Sequence, residues 1–166
     1  MDRAAAVPPP VSSEWNFEMS DRVTASISIG GVVPAAQREE LIAIIELEGL
    51  CLDWEGTDFA PDRIEHGKPL DLMAYEVPWG RFEQLEQFCV NHGLAYQRNS
   101  GACPGSFGAE RIVFDGSNGP FNYDTNDDDV VMVTQETITR LGSLRAIRAY
   151  FKQAEIVIPP LEIRAE

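Results

Sequence analysis

PAAQREELIAIIELEGL (residues 34–50) and PWGRFEQLEQFCVNHGL (residues 78–94) are one pattern written twice, 44 residues apart. Pro34 matches Pro78, Glu39 matches Glu83, Leu41 matches Leu85, and the closing Gly49-Leu50 matches Gly93-Leu94. In each copy the proline suits a first helical turn, where its missing N–H is not needed, and the glycine suits a left-handed cap at the C-terminus. Leu41, Ile44 and Ile45 in the first copy recur at helical spacing, as do Phe82, Leu85, Phe88 and Cys89 in the second. Each helix therefore buries one stripe.

Strand-like runs flank both copies. Val23, Ala25, Ile27 and Ile29 alternate with Thr24, Ser26 and Ser28, which describes a strand with one buried face that ends at Gly30-Gly31. Leu50 to Trp54 follows the first helix, Leu70 to Val77 precedes the second, and Leu94 to Arg98 follows it. Two strand-helix-strand units in tandem predict an α+β protein. The arrangement is a ferredoxin-like β-α-β-β-α-β sandwich over residues 22–98, with two helices on one face of a four-stranded sheet. That architecture carries many unrelated activities and by itself says nothing of function.

Beyond Arg98 the repeat stops, and a C-terminal β-β-α appendix is expected. Arg111 to Asp115 and Val130 to Val133 read as strands, and the connection from Gly116 to Asp129 reads as a loop. Thr134 is placed to cap a short helix that Gly142 ends, and Ser143 to cap a second helix. In that second helix Leu144, Ile147 and Phe151 align as an anchoring stripe. Ile156 to Ile158 reads as an edge strand stopped by Pro159-Pro160. The expected organisation is a flexible N-terminal arm over residues 1–21, one domain over 22–158 with 99–158 as its extension, and a tail over 159–166. Trp15 and Phe17 leave open whether the arm is loose or docks on the domain.

Charge is the unusual total. The 166 residues include 27 acidic and 13 basic side chains, a formal net charge of -14, while a hydrophobic content of 44% is enough to fold. Such a field repels nucleic acid and anionic membrane and favours a protein partner with a basic surface. A homodimer is a second expectation. The exception lies between Arg140 and Lys152, where Arg140, Arg145, Arg148 and Lys152 face no acidic residue in sequence. This basic helix is expected to lie against the acidic body. The open face of the sheet (Thr24, Ser26, Ser28, Cys51, Asp53, Ala95, Gln97) lacks the aromatics and cations with which such sheets stack and neutralise RNA, so direct nucleic-acid binding is not expected there.

No catalytic constellation is legible. Cys51, Cys89 and Cys103 have neither disulfide-framework nor metal-knuckle spacing, and His66 and His92 are not spaced as ligands. Asp124-Thr-Asn126-Asp-Asp128 opens like a calcium loop, but Asp129 stands where a glycine should turn the chain and Gln135 where a bidentate glutamate should close it. A solvated acidic turn is the better reading. Gly101, Gly105 and Gly108 lack the lysine and following helix of a phosphate cradle. Cys103 lacks an adjacent base or cation to activate its thiol.

Neither a cofactor nor a metal is expected, and an enzyme is the third choice. The first is a non-enzymatic acidic interaction or inhibitor protein, one version of which mimics nucleic acid to block a defence system of the CRISPR or restriction type. The alternative is a small-ligand or metal-responsive module with its pocket between the open face and the appendix. The partner-binding candidates are Asp53, Glu55, Asp58 and Asp62 in one stretch and Asp124, Asp127, Asp128 and Asp129 in another. No run has the length of a secretory signal or a membrane span, so a cytoplasmic location is expected.

Overall fold

The computed structural model describes residues 21–164. The expected N-terminal arm, with Trp15 and Phe17, lies outside the described residues up to Ser20. The alternating run after Asp21 forms β1 (Arg22–Val33), followed by α1 (Arg38–Leu47), β2 (Leu70–Pro78), α2 (Glu83–His92) and β3 (Ala95–Ser100). The appendix supplies β4 (Glu110–Phe114), β5 (Phe121–Asp124), α3 (Gln135–Leu141), α4 (Leu144–Ala154) and β6 (Leu161–Ile163). The protein is α+β. Five strands pair antiparallel in the order β2-β1-β3-β4-β5, and β6 joins the end of β1 in parallel.

The core follows the predicted periodicity. Ala25, Ile27 and Ile29 on β1 and Leu70 and Leu72 on β2 pack with Leu41 and Ile45 of α1 and Leu85, Phe88 and Cys89 of α2. Each of the Ile, Leu and Phe side chains among them contributes about 1.5–3 kcal/mol by leaving water. Gly49 and Gly93 both adopt φ 65, and the left-handed turn ends each helix where the repeated glycine stands. In the appendix Thr134 accepts the Thr137 N–H and Ser143 accepts the Ala146 N–H, so both predicted caps form.

Three expected strands differ. The run Leu50 to Trp54 contracts to a bridge at Cys51, which exchanges N–H···O bonds of 2.8 and 2.9 Å with Met73. It goes no further because the Asp53 carboxylate takes the N–H groups of Glu55 and Thr57 and turns the chain back. Val130 to Val133 likewise contracts to a bridge between Val131 and Thr125, and the paired strand is β5, inside the stretch expected to be loop. Ile156 to Ile158 is not a strand.

Pairing begins after the prolines instead, in the expected tail, with the Pro160 carbonyl accepting the Gly31 N–H at 3.0 Å. β1 accordingly runs on through Gly30-Gly31 to Val33. Gly30 is required there, since a Cβ on it would stand 1.7 Å from the Pro159 carbonyl oxygen.

The appendix covers part of the second face of the sheet. Val113, Tyr123, Val131 and Ala154 form a second buried cluster, with Phe121, Tyr150, Phe151 and Ile156 packed against it. Tyr123 and Tyr150 meet edge to face at 4.8 Å. The anchoring stripe of α4 is therefore Tyr150, Phe151 and Ala154. Leu144, expected to lead it, is 62% exposed. Leu144→Asp is accordingly expected to change stability by no more than about 0.5 kcal/mol in a urea titration, the usual range for a surface position. The helix does pack on the sheet, but among the described residues Arg140, Arg145, Arg148 and Lys152 form no ion pair with it. No helix among the described residues is long and apolar enough to cross a membrane.

Candidate functional site

A cleft of about 890 Å³ opens where β2 ends, between the loop after Cys51, the last turn of α1 and the first turn of α2. Its walls are aromatic and charged. Trp54, Tyr75 and Trp79 line it and remain 43%, 53% and 49% exposed. The Trp54 and Tyr75 rings meet edge to face at 5.2 Å, and the Tyr75 hydroxyl donates to the Trp54 carbonyl at 2.6 Å, so this pair is held as a unit. Tyr75 protrudes because β2 carries an extra residue against β1 between the pairs Ala25–Ala74 and Val23–Val77.

Trp79 stands on a tight turn. Arg81 N–H bonds to the Pro78 carbonyl at 3.1 Å, and Trp79 and Gly80 between them have φ of 55 and 64. Two consecutive positive φ values make a turn suited to glycine or asparagine, so a tryptophan at its first position is strained. Its surroundings hold it there: the Trp79 N–H donates to the Asp21 carbonyl at 2.8 Å, its ring lies 5.9 Å from Phe107, and the Gly80 carbonyl accepts from Arg98 at 2.6 Å.

Arg98 is the buried ion behind this wall. Its side chain, 1% exposed, has Nη2 2.7 Å from Glu110 Oε1 and Nε 2.7 Å from Glu86 Oε1, the latter a charge contact without hydrogen-bond alignment. Nη1 also reaches Ser100 Oγ at 3.0 Å. Burial alone would raise Glu110, but the hydrogen bond and charge of Arg98, with a hydrogen bond from Asn122, hold its carboxyl below the ordinary range. For Glu86 burial prevails over Arg98 and raises its pKa. Glu86 also accepts the Phe82 N–H at 3.0 Å, so one arginine ties the start of α2 to the Trp79 turn.

Glu48 contributes a carboxylate to the cleft wall. One oxygen accepts the Gln84 N–H at 2.8 Å, and the other is enclosed without a hydrogen-bond partner. Burial raises its pKa, more than the amides at the start of α2 lower it. A carboxyl raised above its unfolded value of 4.5 adds stability that is complete below that value and lost as pH rises through the folded pKa. Glu48→Gln keeps an acceptor and carries no charge. It is therefore expected to gain stability relative to the parent between pH 4 and pH 7, as read from urea midpoints, and a constant difference across that range would contradict this account.

The carboxylates named from sequence divide between two places. Asp53, Glu55, Asp58 and Asp62 lie in the segment flanking β2, whereas Asp124 ends β5 and Asp127, Asp128 and Asp129 follow it, at the opposite edge of the five-strand path. Only Asp53 lines the cleft. Asn126 Oδ1 accepts the N–H groups of Asp128 and Val130, so the Asp-x-Asn-x-Asp run builds a turn. Among the described residues no group of three or more His, Cys, Asp or Glu side chains is placed to hold a metal ion. Burial and the neighbouring Asp21 charge push the Cys103 thiol up, the reverse of what an activated nucleophile needs.

Sequence spacing places Trp54 and Tyr75 in strand runs and Trp79 at a helix opening, so it does not bring them together; the one local signal for the cleft is the Pro78-Trp79-Gly80 turn. No protein-family model, curated protein or solved structure matches the chain.

Proposed function

We propose that this is a non-enzymatic interaction protein that offers its acidic surface to a basic site on a partner protein. One observation carries the reading. Seven of the eight carboxylates named above are exposed, the eighth, Asp53, is half-buried, and among the described residues none is neutralised by an ion pair. Charge spent on internal pairing would not be available to a partner, and this charge is available. Its reach is a Debye length, about 8 Å at physiological salt, so it acts on encounter more than on the final complex.

The nucleic-acid-mimic version of this proposal needs carboxylates spaced along one face. Because the two groups stand at opposite sheet edges, we rest the proposal on a basic protein surface in general. For the fold we propose the ferredoxin-like arrangement over residues 22–98. Supporting it, β1 lies antiparallel between β2 and β3, and Cys51 bridges the outer side of β2 where the fourth strand would stand.

The test is capture of a partner from extract at low salt, followed by association rates at rising salt. The rate is expected to fall steeply, and neutralising Asp124, Asp127, Asp128 and Asp129 to asparagine should lower it separately from changes at Glu55, Asp58 and Asp62. An association rate indifferent to salt would remove the electrostatic reading. A second reading, a small-ligand module, draws on the cleft itself. A metabolite at a hundred times its Kd would stabilise the protein by about 2.7 kcal/mol, visible as a rise in melting temperature.

A further inference from the structure

The cleft at the end of β2 has a composition that selects among ligands. Its aromatic wall presents ring faces and edges to solvent, and three large aromatics in one cleft are uncommon unless something covers them. One of them, Trp79, is kept there against an unfavourable backbone conformation. The charged lining is mixed but acidic on balance: Glu48, Asp53, Glu76 and Glu83 against Arg22 and Arg81. Arg22 is already engaged, donating to the Glu76 carbonyl at 2.7 Å.

From this geometry we infer that the cleft receives a lysine side chain of a protein partner. The inference rests on the reading above, that the partner surface is basic, and adds where a cation seats and what recognises it. An anion would meet a net negative lining in a net negative protein. An apolar ligand would leave the carboxylates desolvated and unpaired, which is costly. A lysine satisfies both halves of the site. Its four methylenes lie along the aromatic wall, and its ammonium faces Asp53 with the rings nearby, the arrangement by which aromatic cages hold ammonium groups. The three N–H donors of the ammonium match the carboxylates that outnumber the two arginines of the lining.

The experiment uses the full chain with its tryptophan indole N–H and backbone amide signals followed by NMR. The probe is an acetylated and amidated tri-lysine peptide. Its comparators are the same peptide with every Nε acetylated and a tri-arginine peptide. Saturable shifts of the Trp54 and Trp79 indole signals are expected. The neutral peptide should bind at least tenfold more weakly and tri-arginine also more weakly. Trp54→Leu, and independently Asp53→Asn, which keeps an oxygen for the Glu55 and Thr57 N–H groups, should weaken tri-lysine at least fivefold while the remaining spectrum stays folded.

Equal binding of the neutral peptide, or tighter binding of tri-arginine, would overturn the lysine assignment. Shifts confined to Asp124–Asp129 would overturn the cleft as the seat while leaving the acidic-surface reading intact, and shifts nowhere would remove both. If Trp15→Ala alone moved the two indole signals as the peptide does, the occupant would be the chain's own N-terminal segment. If dilution moved them, it would be a second copy. Either result would overturn the proposal.

Discussion

Arg98→Ala is expected to cost about 3–5 kcal/mol, because it removes the cation between two carboxylates that the fold keeps out of water and leaves them uncompensated. That is a large share of the roughly 5–15 kcal/mol that holds a domain folded. The loss should be measured by urea unfolding, and a cost below about 1 kcal/mol would show that water or rearrangement replaces the arginine. The triple variant Arg98→Met, Glu86→Gln, Glu110→Gln should recover much of it, since no charge is then stranded.

The pH dependence supplies an independent check. The Glu110 carboxyl is held down, so its contribution is present above its unfolded value of 4.5 and lost as pH falls through the folded pKa. In Arg98→Ala that acid-side loss should disappear. Because Arg98 also donates to the Gly80 carbonyl, any folded fraction of the variant should show altered Trp79 fluorescence.

The second large effect is expected at Gly30. A valine there places a Cβ 1.7 Å from the Pro159 carbonyl oxygen and 3.0 Å from the Ile158 side chain, and the first of these is backbone that cannot turn aside. The C-terminal segment must leave β1, breaking the Gly31 to Pro160 hydrogen bond and the pairing of β6, and uncovering Leu161, which is fully enclosed. Overpacking of this kind costs about 1–3 kcal/mol and here should reach the upper end. Hydrogen exchange at Gly31 and Leu161 should accelerate before exchange at Ile27 does. Unchanged protection at Gly31 would mean that β1 bends to admit the side chain.

Local chemistry explains why part of this architecture was legible and part was not. The two helices were, because an apolar stripe and a left-handed glycine act within one or two turns and need no distant partner, whereas Pro78, expected in a first helical turn, ends β2. So were the caps at Thr134 and Ser143. The bridges at Cys51 and Val131 were misread as strands, since alternation announces a buried face and cannot say whether a neighbouring strand is long enough to pair with it. In α4 Phe151 keeps its expected place in the anchoring stripe while Leu144, with the right spacing, stays exposed, since spacing names a face and not what lies opposite it.

The acidic surface could be read from composition, and its division between two sheet edges could not. The cleft was legible only in the fold. Trp54 lies 21 residues from Tyr75, and the bulge in β2, the Asp53 turn and the Trp79 turn bring it with Tyr75 and Trp79 to one opening. Arg98 made the same point from inside: in sequence it looked like the polar end of a strand. By itself the sequence determined the two core helices with their glycine ends, the caps of α3 and α4 and the sign of the net charge, because those follow from each residue's own conformational and solvation preferences. Which charge is buried, which aromatics share a wall and where the C-terminal strand pairs were decided by the tertiary structure alone, because those are contacts between residues that only the closed sheet brings within reach.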